Sequence, residues 1–165
     1  MTRRFNDLEG LRIAVEMEKR GADLYRHAVR ISKSPKAARV LAQLEADERE
    51  HQRNFSLLHE AQLARYEGDA GIVWYDGESS AFLSAMAAEV VFSDGLVGMA
   101  RKAGFDEPTE IVRYAAQTEK DSILFYDAIL AQTGDPEAHR VFSEIIRQEK
   151  EHLQKLTQLL MEEEA

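Results

Sequence analysis

Two stretches of this sequence match each other at a fixed offset. Glu48-Arg49-Glu50-His51 returns 101 positions later as Glu149-Lys150-Glu151-His152. The same offset carries Glu18 onto Glu119, Tyr25 onto Tyr126, Pro35 onto Pro136 and Arg39-Val40 onto Arg140-Val141, with no gap anywhere. One unit carried twice explains such a match, and the unit is long enough for a pair of helices. Acids and imidazoles survive the duplication alongside packing positions, so it constrains chemistry as well as shape.

Each unit reads as a helical hairpin. Asp7 is expected to cap a first helix running to about Ser32, with a stripe of Leu8, Leu11, Val15, Glu18, Ala22, Tyr25 and Val29. Ser34-Pro35, a cap and a first-turn proline, opens a second helix that frays near Tyr66. Its stripe is Leu41, Leu44, Glu48, His51, Phe55 and Leu58. Pro108 opens a third, striped by Val112, Ala116, Glu119, Ile123, Tyr126 and Leu130 and ended by Gly134. Asp135-Pro136 starts the last, with Phe142, Ile145, Glu149, His152, Leu156 and Leu159 inward.

Between the hairpins, from about 67 to 106, lies a crossover. Gly68, Gly71 and Gly77 surround Ile72-Val73-Trp74-Tyr75, a non-helical crossing segment that Trp74 is expected to pin to the bundle. Ser79-Ser80 should cap a short helix with Phe82, Met86 and Val90 inward, and Asp94 should start another ending at Gly104. Two short-looped hairpins, about 7–66 and 107–163, joined by one long crossover predict a single all-α domain over residues 1–165. The topology is that of a ferritin-like four-helix bundle.

Composition narrows the chemistry. A formal net charge of -9 argues against nucleic acid or an anionic membrane as partner. No apolar run reaches the length needed to span a bilayer, and the first residues lack the apolar core of a signal peptide, so the cytoplasm is the expected address. The absence of cysteine removes disulfides, thiolate catalysis, iron–sulfur clusters and Cys-ligated metal together. Any metal must be held by oxygen and nitrogen.

The stripes supply such donors. Glu18, Glu48, Glu119 and Glu149, with His51 and His152, occupy positions that should face the core. Unpartnered buried carboxylates cost several kcal/mol each and repel one another, and no Lys or Arg lies on the stripes to offset them. Two divalent cations would balance four carboxylates, leaving each ion one His and one Glu of its own and two further Glu to bridge. Tyr25 and Tyr126, two turns after Glu18 and Glu119 on the same faces, are placed to hydrogen-bond ligating carboxylates.

Taken together, Glu18 with Tyr25, Glu48-Arg-Glu-His51, Glu119 with Tyr126 and Glu149-Lys-Glu-His152 resemble the rubrerythrin-related branch of the ferritin-like superfamily. The likeness covers the four long helices and leaves the crossover unmatched. It implies a non-haem di-iron centre, bridged by Glu48 and Glu149, that reacts with hydrogen peroxide or dioxygen, and it implies a homodimer. Two departures stand out. A Cys-ligated rubredoxin domain is absent, so a reductase would need a separate electron-donor protein. Ala116 and Ser122 flank Glu119 where rubrerythrins commonly carry an extra carboxylate.

Manganese or a mixed pair satisfies the same ligands. A ferroxidase or iron-storage protein, and a non-catalytic interaction bundle, remain open as alternative functions. Glu89 lies on the short-helix stripe as a possible seventh ligand, although snorkelling to solvent is the commoner fate. Glu50 and Glu151 point off the stripe, and His27, His59 and His139 have no repeat counterpart; all five are expected at the surface.

Overall fold

The computed structural model describes residues 4–66, 71–91 and 107–164. Five helices run through them: α1 (Asp7–Ile31), α2 (Pro35–Arg65), α3 (Gly77–Val91), α4 (Pro108–Leu130) and α5 (Pro136–Glu164). α1 pairs with α2 and α4 with α5 through short loops, and the two hairpins meet along α1–α4 and α2–α5. α3 lies against α1 and α4.

The helix boundaries follow local chemistry, with instructive shifts of a residue or two. Asn6, not Asp7, caps α1; its side chain accepts from Glu9 N at 2.9 Å. Asp7 instead becomes a clasp, accepting from the Tyr75 hydroxyl and from Thr133 Oγ1, the latter at 2.7 Å. Ser34 caps α2 as expected, accepting from Ala37 N, and Pro35 fills the first turn. At α5, Asp135 Oδ2 accepts from Ala138 N at 3.0 Å and from Gln62 Nε2 at 2.9 Å, so the cap also ties the two hairpins together. α4 stops at Leu130, before Gly134 is reached.

The crossing segment is anchored by a neighbour of the residue expected. Trp74 is 45% exposed, with the Arg4 guanidinium 5.4 Å over its ring, whereas Tyr75 is buried. Tyr75 N donates to Phe5 O at 2.9 Å, and Phe5 N donates to Ser80 Oγ at 3.1 Å, fastening the start of the chain to the crossover. Asp76, not Ser79, starts α3, its carboxylate accepting from Ser79 N. The inward face also differs by one residue from the expected stripe. Leu83 and Ala87 are buried, Phe82 is 46% exposed, and Met86 packs at the edge of the core. The side chains of Glu89 and Val90, and the helix expected over Asp94 to Gly104, lie outside the described residues.

The core has three layers. One apolar cluster, including Leu11, Phe55, Phe125, Phe142 and Ile145, fills the end nearest the crossing segment. Another, including Leu24, Leu41, Leu44, Val112 and Leu156, fills the opposite end. The buried acids and imidazoles lie between them in sequence along every long helix.

Candidate metal centre

All six stripe residues converge. Glu18 comes from α1, Glu48 and His51 from α2, Glu119 from α4, and Glu149 and His152 from α5. None is more than 4% exposed. They form two overlapping groups, Glu18–Glu48–His51–Glu149 and Glu48–Glu119–Glu149–His152, in each of which one donor atom per residue lies within 4.8 Å of the others. Glu48 and Glu149 belong to both groups. The Glu-x-x-His spacing accounts for the convergence, since residues three apart on a helix share a face.

The two imidazoles lie nearly parallel, ring centres 5.5 Å apart. Each turns Nδ1 toward the acids. His51 Nδ1 is 2.7 Å from Glu149 Oε1 and 3.2 Å from Glu18 Oε2; His152 Nδ1 is 3.0 Å from Glu48 Oε1. The tyrosines bond across the hairpins rather than within them. Tyr25 on α1 donates to Glu119 on α4, and Tyr126 on α4 donates to Glu18 on α1.

Among the described residues, Glu48 Oε1, both oxygens of Glu149 and His152 Nδ1 are buried without a well-formed hydrogen bond. Such orphaned groups are costly unless something else coordinates them. Glu48 and Glu149 are common to both overlapping sets and His152 belongs to one of them, so this chain's residues fit a pair of cations held by oxygen and imidazole nitrogen.

The electrostatics show the strain of the layer as protons alone would balance it. Burial raises Glu48 well above the usual carboxylate range, and the charges of Glu149, Glu18 and Glu119 raise it further. Burial and Glu149 do the same to Glu119. For Glu149, burial is outweighed by the adjoining Glu119, His152 and His51, and the pKa is lowered. Burial opposes protonation of the histidines but loses to their acidic neighbours. His51, beside Glu149 and Glu18, is raised to about 11, and His152, beside Glu119 and Glu149, to about 10. Burial, followed by the charge of Glu119 for Tyr25 and of Glu18 for Tyr126, raises both phenols and keeps them hydrogen-bond donors.

A family model described as rubrerythrin matches residues 9–160. The chain belongs to the rubrerythrin family. No curated protein matches it. Among solved structures it is similar to a protein from Thermotoga maritima described as a ferritin-like diiron-carboxylate protein, with a TM-score of 0.76 and 22% identity over 99% of each chain. That likeness shows the ferritin-like fold. Among the described residues of this rubrerythrin-family chain, no helix is long and apolar enough to cross a membrane.

Three residues around the cluster lie off the apolar stripes. Asp47 Oδ2 lies 3.2 Å from His152 Nε2, and Gln148 Oε1 lies 2.8 Å from His51 Nε2. Asp47 and Gln148 precede Glu48 and Glu149 and are themselves 101 positions apart, but they differ in type, so the self-match singles out neither. The third is Gly21, on α1 beside the cluster. A Cβ there would stand 2.6 Å from Glu48 Oε2, which explains a glycine inside a helix where it costs about 1 kcal/mol relative to alanine. His27, His59 and His139 lie outside the cluster.

Proposed function

We propose that the buried cluster holds two iron ions and that the protein reduces hydrogen peroxide or dioxygen with electrons from a separate donor protein. The observation that carries this reading is the pair of overlapping four-residue groups sharing Glu48 and Glu149, of which Glu48 Oε1 and both Glu149 oxygens are buried without a well-formed hydrogen bond. Membership of the rubrerythrin family and the diiron description of the similar structure support iron. Glu18, Glu48, His51 and Glu149 would hold one ion, and Glu48, Glu119, Glu149 and His152 the other. Ferrous ions bound there would supply electrons to the O–O bond.

The chain's own residues provide the rest. Tyr25 and Tyr126 fix the carboxylates of Glu119 and Glu18 by donating to them from the opposite hairpin. Asp47 and Gln148 occupy Nε2 of the imidazoles, which leaves Nδ1 free to face the acids. Apolar layers on both sides exclude bulk water, so charges within the cluster interact strongly. Reduction of one peroxide to two waters consumes two electrons and two protons. Those electrons are assigned to the separate donor, since these 165 residues hold no cysteine for a rubredoxin-type site.

The test is anaerobic addition of ferrous iron followed by rapid mixing with peroxide. Uptake of about two irons per chain, abolished in Glu48→Ala/His51→Ala, with peroxide consumed as the iron oxidises, is the expected result. Absence of uptake, or uptake unaltered in the double variant, would contradict the metal centre. Uptake without peroxide or dioxygen consumption would keep the centre and reject the reductase.

A further inference from the structure

The two halves of the cluster match in their nearest donors and differ one residue further out. Each group contains the shared pair Glu48 and Glu149, one further Glu and one His. Each further Glu accepts from a Tyr of the opposite hairpin. Behind the histidines the match breaks. His152 Nε2 meets the carboxylate of Asp47, and Asp47 Oδ1 in turn accepts from Gln43 Nε2 at 2.8 Å. His51 Nε2 meets the amide oxygen of Gln148, and Gln148 Nε2 in turn donates to Glu144 Oε1 at 3.0 Å. Gln43 and Glu144 are themselves related by the 101-residue offset, as are Asp47 and Gln148. The repeat has kept the path and exchanged its members. From His152 outward the order is imidazole, carboxylate, amide; from His51 it is imidazole, amide, carboxylate.

We infer that this exchange makes the two cation positions unequal, the one at Glu119 and His152 binding a divalent cation more tightly and filling first, with Asp47 as the positioning residue responsible. The inference rests on the dinuclear reading above. A carboxylate accepting from Nε2 puts a full negative charge against the ring and makes Nδ1 a stronger donor. An amide oxygen fixes the same tautomer with only a dipole. The acid behind Gln148 is one side chain further away, and Arg147 draws on it at 2.7 Å. Since the nearest donors are otherwise paired like for like, the difference in charge behind the imidazoles decides which position is tighter.

Titration calorimetry with cobalt(II), and anomalous-scattering crystal structures at one cobalt per chain, test this on the full chain. In the wild type the Glu119/His152 position should carry most of the anomalous signal, with the two binding steps separated by about 10–100-fold. Asp47→Asn keeps an acceptor and removes the charge; it should weaken the tighter step and bring the two together. Gln148→Glu combined with Glu144→Gln should bring them together from the other side, by strengthening the weaker step, which loss of structure would not do. Equal occupancy in the wild type, first filling at Glu18/His51, or equal weakening of both steps by Asp47→Asn would overturn the inference and leave the dinuclear centre intact. No cobalt in any variant would overturn the centre itself.

Discussion

The apolar layers and the acidic layer between them occupy the same four helices and stabilise the fold by opposite means. Phe55, Tyr126 and Phe142 pack with ring centres 4.9 to 5.7 Å apart, and their burial favours folding under any condition in which water is the solvent. A few residues along the same helices, Glu18, Glu48, Glu119 and Glu149 are equally buried but carry charge that burial penalises. The first kind of layer needs no partner beyond the chain. The second depends on what else is present, whether protons or cations, so stability becomes a function of pH and metal in one layer only. Energy given up there keeps a set of donors aimed at one place.

The contrast can be broken in order of size. The largest expected effect is that of pH on metal-free protein. His51 and His152, raised to about 11 and about 10 in the fold, stabilise it fully below an unfolded-state value of about 6.5 and lose that contribution as pH climbs through their folded values. The raised Glu48 and Glu119 act with the same sign. The melting temperature in chelator should therefore fall steadily from pH 6.5 toward pH 10, and saturation with metal should flatten the profile. A pH-independent melting temperature in chelator would show that the acidic layer is not under the strain described.

Next in size is Phe142→Ala in the apolar layer, expected to cost about 3–5 kcal/mol in chemical denaturation while leaving the number of bound metal ions unchanged. Tyr126→Phe should cost about 1–3 kcal/mol by freeing Glu18, and Tyr25→Phe should cost about the same by freeing Glu119. A large difference between the two would argue against equivalent roles in the two hairpins. The smallest stability effect is expected from Gly21→Ala, which should act mainly on metal binding. Helix propensity, about 1 kcal/mol, is offset by the shift the new Cβ forces on Glu48, so the metal-free protein should change little while metal affinity falls about tenfold.

Much of this was legible in the sequence because burial and periodicity are tightly linked in helices. An acid on an apolar stripe must face the core, so helical spacing alone places Glu18, Glu48, Glu119 and Glu149 inside the bundle. It does not give the cross-hairpin direction of the tyrosine bonds, because stripe spacing describes a single helix and Tyr25 reaches Glu119 only once the hairpins dock. Asp47 escaped because it sits between stripe and surface, partly exposed, where a carboxylate needs no explanation until His152 is seen beside it. Trp74 misled for a related reason. Size suggested an anchor, but the hydroxyl of Tyr75 found Asp7, and a polar partner at the right depth outweighed the larger apolar ring. The face of α3 differs by one residue from the expected stripe because Ser80 is drawn inward to accept from Phe5 N, and Leu83 and Ala87 share its face.

If cations are what make the acidic layer tolerable, thermal unfolding must depend on free metal concentration. The melting temperature of chelator-treated protein should rise continuously with free iron(II) or manganese(II), as binding to the folded state requires, with about two ions per chain at saturation, and Glu48→Ala/His51→Ala should abolish the rise. A melting temperature that stays constant across all metal concentrations, with no ions retained, would contradict it.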